Sequence, residues 1–178
     1  MPAFVALLRG VNVGSGNRVP MASLRAILSD LGYGNVVTLL NSGNAVFSAE
    51  TGTASSHGTR IATALGDALD VHVPVIVKSA REMTAIVTGN PFAVGDGLRS
   101  KFLVAFTRQQ KDLATLAAIE PLVTRQEAWA IGAEAAYLSC PRGISTSKAA
   151  LALLGKTGRL ATTRNWATAL KLQALLQR

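Results

Sequence analysis

The sequence predicts an α+β fold, on three observations: short apolar runs alternate with amphipathic stretches, the order strand–helix–hairpin–helix occurs twice, and Pro and Gly gather between the two occurrences. The expected architecture is two tandem ferredoxin-like (βαββα-type) subdomains forming one compact module, over residues 1–89 and 101–178, joined by 90–100.

The elements follow from local pattern. Phe4-Val5-Ala6-Leu7-Leu8 is short, apolar and closed by glycine, which suits a strand buried on both faces. Pro20 stands where a first helical turn tolerates a missing N–H, and Met21, Leu24, Ile27, Leu28 and Leu31 recur at helical spacing until Gly32. Val36 to Ala49 reads as a hairpin turning at Asn41-Ser42-Gly43-Asn44. Glu50 to Thr59, with His57, reads as a loop before a helix carrying Ile61, Leu65, Ala68 and Leu69. Val71 to Val77 reads as a strand, with Pro74 favouring a sheet edge. Ser79 and Glu82 form a capping box ahead of Met83, Ile86 and Val87, and Gly89-Asn90-Pro91 ends that helix.

The second half partly repeats this order. Lys101 to Thr107 is an alternating strand, Lys111 to Ile119 a short helix, and Ala128–Ile131 with Ala135–Ser139 a hairpin turning at Gly132-Ala133. Ser147 to Leu154 reads as a helix, and Thr162 or Thr163 as the cap of a last helix from Arg164 to about Leu176. Phe4 with Phe47, and Phe102 or Phe106 with Tyr137, fit a core, because the basic-aromatic signature of RNA-recognition strands is missing.

Composition bounds the function. The chain is 49% hydrophobic with mean hydropathy +0.31, has no apolar run long enough to span a membrane, and reads as a cytoplasmic globular protein without a membrane partner. Its single cysteine, Cys140, allows no internal disulfide and fits a small buried side chain. His57 and His72 lack ligand spacing, so neither a metal nor a cofactor is expected. The net charge is +8, and no acid follows Glu134, whereas Arg142, Lys148, Lys156, Arg159, Arg164, Lys171 and Arg178 do. Such a quarter fits an anionic partner or a solvated positive face.

Four segments carry a family resemblance: RGVNVGSGNRVPM from Arg9 to Met21, NSGNAVF from Asn41 to Phe47, VPVIVKSAREM with NPF from Val73 to Phe92, and TTRNWATALKL from Thr162 to Leu172. In this order they resemble the bacterial family catalogued as domain of unknown function 1697. The resemblance implies two ferredoxin-like subdomains in one α+β module and names no reaction. Within GISTSKAAL, Gly143 to Leu151, the Ser147-Lys148 pair that the family tends to show is kept, so both residues join the candidates.

Three donor-rich stretches lie at element ends, where binding groups collect. The first holds Arg9, Gly10, Asn12, Gly14, Asn17 and Arg18; the second Asn41, Ser42 and Asn44; the third Thr163, Arg164, Asn165 and Trp166. Glycines that turn backbone N–H groups inward, amides and guanidinium groups ahead of a helix suit an anion, and Trp166 could stack on a ring. None of the three contains Asp, Glu, His or Cys, which general acid–base or covalent catalysis usually requires. The expected function is binding of an anionic, phosphate-bearing ligand, a small molecule, nucleotide or nucleic acid. An enzyme drawing its acid or base from Glu82, Glu127 or Glu134, and a protein-interaction module whose motifs only shape turns, stay open alternatives.

Overall fold

A computed structural model describes all 178 residues. Its first four strands are β1 (Ala3–Leu8), β2 (Gly34–Thr38), β3 (Asn44–Ser48) and β4 (Val75–Ser79), with helices α1 (Met21–Asp30) and α2 (Ala54–Leu69) between them. They pair antiparallel in the order β2-β3-β1-β4. Because side chains alternate across a strand, Phe4, Ala6 and Leu8 share a face with Ala45, Phe47, Val75 and Val77. That face closes on Leu24, Ile27 and Leu28 of α1 and Ile61 and Leu65 of α2. Val5, Leu7, Val46 and Ile76 on the opposite face are also buried, as the unbroken apolar run of β1 implies.

The remaining elements are α3 (Ala80–Thr88), β5 (Phe102–Thr107), β6 (Ala128–Ile131), β7 (Ala136–Ser139), α4 (Lys148–Leu154), β8 (Ala161–Asn165) and α5 (Trp166–Leu176). Strands β5 to β8 form a second antiparallel sheet, β6-β7-β5-β8, the same order as the first. The chain divides into two units, Met1–Met83 with Ala174–Arg178, and Thr84–Gln173. It is an α+β protein with two four-stranded sheets, consistent with two tandem ferredoxin-like subdomains.

Three local expectations need correction, although the fourth strand expected of the first unit is present as β4 (Val75–Ser79). Residues Ala161–Asn165 are strand β8, not a helix start: Thr162 and Thr163 are β-branched, and they pair with Phe106 and Ala105 of β5. Asn165 is the cap of α5, its Oδ1 accepting from the N–H of Thr168 at 2.9 Å. His57 does not lie in a loop. Helix α2 begins at Ala54, where Thr53 and Ser56 satisfy each other's backbone N–H groups, and this puts His57, Ile61 and Leu65 on one buried stripe. Last, Gln110–Leu122 is a run of 3₁₀ turns rather than an α-helix. Its buried residues Leu113, Leu116 and Ile119 recur every third position, the period at which a 3₁₀ helix keeps one face inward.

Other expectations agree with the structure. Gly32 ends α1 with φ +85°, Ser79 and Glu82 cap α3 reciprocally at 2.8 and 3.2 Å, and β4 is an edge strand. Phe4 and Phe47 face each other in the core with ring centroids 5.6 Å apart. Phe102, Phe106 and Tyr137 are buried as well.

Candidate functional site

The Arg9 loop and the Asn41 turn meet in the first unit. The N–H of Leu8 donates to the carbonyl of Gly43 at 2.9 Å, and that of Arg9 to Pro74 at 3.0 Å, so the strand ends anchor the loop's base. Gly43 makes the approach feasible: at φ +85°, a Cβ there would stand 2.7 Å from the Leu8 Cβ and from a Val11 methyl. Val11, 1% exposed, pins the loop to the core.

Beyond Val11 the chain doubles back on itself. The Asn12 N–H donates to Asn17 at 3.1 Å, Val13 and Gly16 form an isolated bridge, and Asn12, Gly14 and Asn17 all have positive φ. Asn and Gly tolerate that conformation best, which explains their spacing. The Asn12 side chain closes the structure. Its Oδ1 accepts from the Val19 N–H at 2.9 Å, and its Nδ2 donates to the carbonyls of Val19 at 2.8 Å and Asn41 at 2.7 Å. Asn17 donates to Gly10 at 3.4 Å, Arg18 to Gly14 at 3.0 Å, and buried Asn44 to Leu39 and the Ser42 hydroxyl at 2.8 and 2.9 Å. The amides therefore mainly build the loop and its turn.

What they build is a cavity of about 300 Å³ lined by Asn12, Arg18, Val19, Pro20 and Asn41. It lies at the N-terminal end of α1. Pro20 is the residue before the first turn rather than the first residue in it, it offers no side-chain cap, and the first turn holds no acid. The only charged side chain lining the cavity is the exposed guanidinium of Arg18. Arg9 is half-buried, and desolvation lowers its pKa, a sign that its charge is held partly out of water.

The sequence profile of the family described as "Protein of unknown function (DUF1697)" matches residues 1–137, which include this loop, the Asn41 turn and the β2–β3 hairpin and end within β7. The chain belongs to that family. The structure is also similar to that of the conserved bacterial protein SP0830 from Streptococcus pneumoniae, with 24% sequence identity, a TM-score of 0.78 and 98% of each chain covered, a likeness that shows the fold alone. No curated protein matches this family member.

The other candidates stand in the second unit, outside the matched residues. Arg164 is buried in β8, where its Nη1 donates to the Thr162 hydroxyl at 2.9 Å and the Thr163 carbonyl at 2.7 Å. Burial pushes its pKa down to about 10. Thr163 is half-buried, and Trp166 packs edge-on against Phe102 at 5.6 Å. Ser147 caps α4 by accepting from the Ala150 N–H at 3.1 Å, while Lys148 is exposed. No three His, Cys, Asp or Glu side chains come together, and no helix is long and apolar enough to cross a membrane.

One polar centre escaped the sequence reading. His57, 1% exposed, shares a hydrogen bond of 2.8 Å between its Nδ1 and the Tyr33 hydroxyl. The signal was present in Thr53 and Ser56, whose spacing starts the helix early enough to turn His57 inward.

Proposed function

We propose that this protein binds an anionic, phosphate-bearing ligand in the cavity between Asn12, Arg18, Val19, Pro20 and Asn41. The observation that carries it is the siting of that cavity at a helix end that has neither a side-chain cap nor an acid in its first turn, with an arginine as its one charged wall. The N-terminal N–H groups of a ten-residue helix bear a partial positive charge, and an anion there gains both that field and the guanidinium. Asn12 contributes by holding the cavity's two sides at a fixed separation, and Arg9 by adding charge at the loop's base. The ligand class is a nucleotide, a polyphosphate or a nucleic-acid phosphate, met in the cytoplasm. Arg164, bonded to Thr162 and Thr163, is not drawn upon.

Thermal unfolding against mononucleotides, polyphosphates, small carboxylates and short DNA and RNA tests the proposal at low and moderate salt. A ligand at about a hundred times its dissociation constant adds roughly 2.7 kcal/mol to stability. The expected result is a midpoint shift by one class at moderate salt that Arg18→Ala abolishes. A response to every polyanion, confined to low salt, would overturn it by showing unspecific charge attraction.

A further inference from the structure

Exposed leucines gather at one place in the second unit. Leu151 and Leu154 lie three positions apart on α4, so they project from the same side of the helix, and Lys148 begins that stripe one turn earlier. All three are exposed, the leucines at 53% and 47%. What α4 buries is its other side, Ala149, Ala150 and Leu153.

The turn after α4 adds to this surface. The N–H groups of Gly155 and Gly158 both donate to the Ala152 carbonyl at 3.2 Å, which folds the turn back onto the helix end. Glycine is required at position 158, because a Cβ there would overlap the Leu153 carbonyl. The fold-back leaves Lys156, Arg159 and Leu160 exposed, the leucine at 41%. Leu151, Leu154 and Leu160 thus make up most of the large apolar side chains that the second unit exposes, the others being Leu122 and Ile131.

Leucines scattered singly over a surface are ordinary, whereas several together inside a polar rim mark a contact surface. Here the rim is basic. Lys148, Lys156 and Arg159 stand among the leucines, and no acid occurs from Ala135 to Arg178. The 3₁₀ run on which α4 packs adds Asp112 and Glu120 but also Lys111, so cations still outnumber acids on the elements that form this surface. The charge complement of such a patch is anionic, and its apolar part must meet an apolar phase. A folded partner would need a groove shaped to three leucines on the convex side of a helix, with acids placed between them. A bilayer needs no groove, since its acyl boundary accepts apolar side chains in any arrangement while anionic headgroups meet the cations. That no helix is long and apolar enough to cross a membrane bears on spanning a bilayer, not on resting against one.

We propose that this face of α4 and the turn after it docks on an anionic lipid surface, with Leu151, Leu154 and Leu160 in the acyl boundary and Lys148, Lys156 and Arg159 at the headgroups. The surface shares no residue with the Arg18 cavity and stands or falls separately from it.

The test is co-sedimentation of the full chain, at moderate salt, with vesicles of phosphatidylcholine alone and of phosphatidylcholine mixed with phosphatidylglycerol. Binding is expected to the mixed vesicles and not to phosphatidylcholine alone. Leu151→Ser with Leu154→Ser keeps the net charge of +8 and is expected to weaken that binding by roughly tenfold or more. Lys148→Gln with Lys156→Gln is expected to weaken it by a similar factor. Arg25→Gln with Arg81→Gln, which removes as much charge from exposed positions of the first unit, is expected to leave it within about twofold. Unfolding midpoints close to the native value check that each variant folds. The proposal is overturned if the mixed vesicles do not carry the chain down, if the leucine variant binds them as tightly as the native protein, or if the two pairs of charge substitutions act alike. Binding of a leucine-bearing acidic peptide to this face, with no binding to either vesicle, would overturn it in favour of a protein partner.

Discussion

The Nδ2 of Asn12 donates to the carbonyl of Asn41 at 2.7 Å, joining a loop to a hairpin turn 29 residues further along the chain. The same side chain grips both backbone polar groups of Val19. One amide therefore ties the exit of β1, the entry of α1 and the β2–β3 turn to one another, and the cavity at the helix end exists because of it.

Replacing that amide should loosen all three elements together. Asn12→Ala removes three hydrogen bonds and places a residue less suited to φ +55°, so the expected loss is about 1–3 kcal/mol in urea unfolding. Asn12→Asp keeps the acceptor for the Val19 N–H but turns two carbonyl contacts repulsive, and should lose at least as much. A stability equal to the native protein's in both variants would show that the clamp is dispensable.

Two glycines of the same region should behave oppositely. Gly43→Ala meets Leu8 and Val11 at 2.7 Å with φ at +85°, and is expected to cost roughly 1–3 kcal/mol through strain and displacement. Gly16→Ala has nothing within 4 Å and no positive φ, so its denaturation midpoint should stay within about 0.5 kcal/mol of the native value.

Acid should weaken the His57 region before the carboxylates titrate. Desolvation by burial, with Arg60 nearby, lowers the pKa of His57 below its ordinary 6.5. Below that value the unfolded chain takes up a proton that the folded chain refuses, so stability falls as pH drops from about 7 toward 5.5. Denaturant unfolding across this window should show the slope, and His57→Gln should flatten it.

Alkali should act on the second unit through Tyr137. Burial, with Glu134 adding repulsion, pushes its pKa up to about 12 from 10.0. Its hydroxyl donates to the Ile86 carbonyl at 2.5 Å, a bond that only the protonated phenol can make. The unfolded chain loses the proton first, so this contribution is intact below pH 10 and declines between about 10 and 12. Tyr137→Phe should start less stable at neutral pH and lose less across that range, as followed by near-UV circular dichroism.

Much of this was legible residue by residue. The apolar spacing of Met21 to Leu31, the stop at Gly32, the Ser79–Glu82 cap and the turn at Asn41–Asn44 are local, so a window of ten residues contains the physics that decides them. Strand β8 was not, because Thr162-Thr163-Arg164-Asn165 suits either a helix cap or a strand, and only pairing with β5 selects the strand. For the candidate site, the donor inventory of the Arg9 loop was visible, but its use was not: Asn12 and Asn44 have good donors, and folding commits them to the backbone.

The sequence alone determined the fold class, the hairpins, the order of elements in the first unit and the family, since these rest on periodicity, turn chemistry and motif order along the chain. The tertiary structure decided which polar groups stay available. It buried Arg164 in a sheet, closed Asn12 onto Asn41, left Arg18 beside an uncapped helix end and sealed His57 behind Gly52 with one nitrogen unpaired. Hydrogen bonds and desolvation depend on distances between residues remote in sequence, and only the folded chain sets those distances.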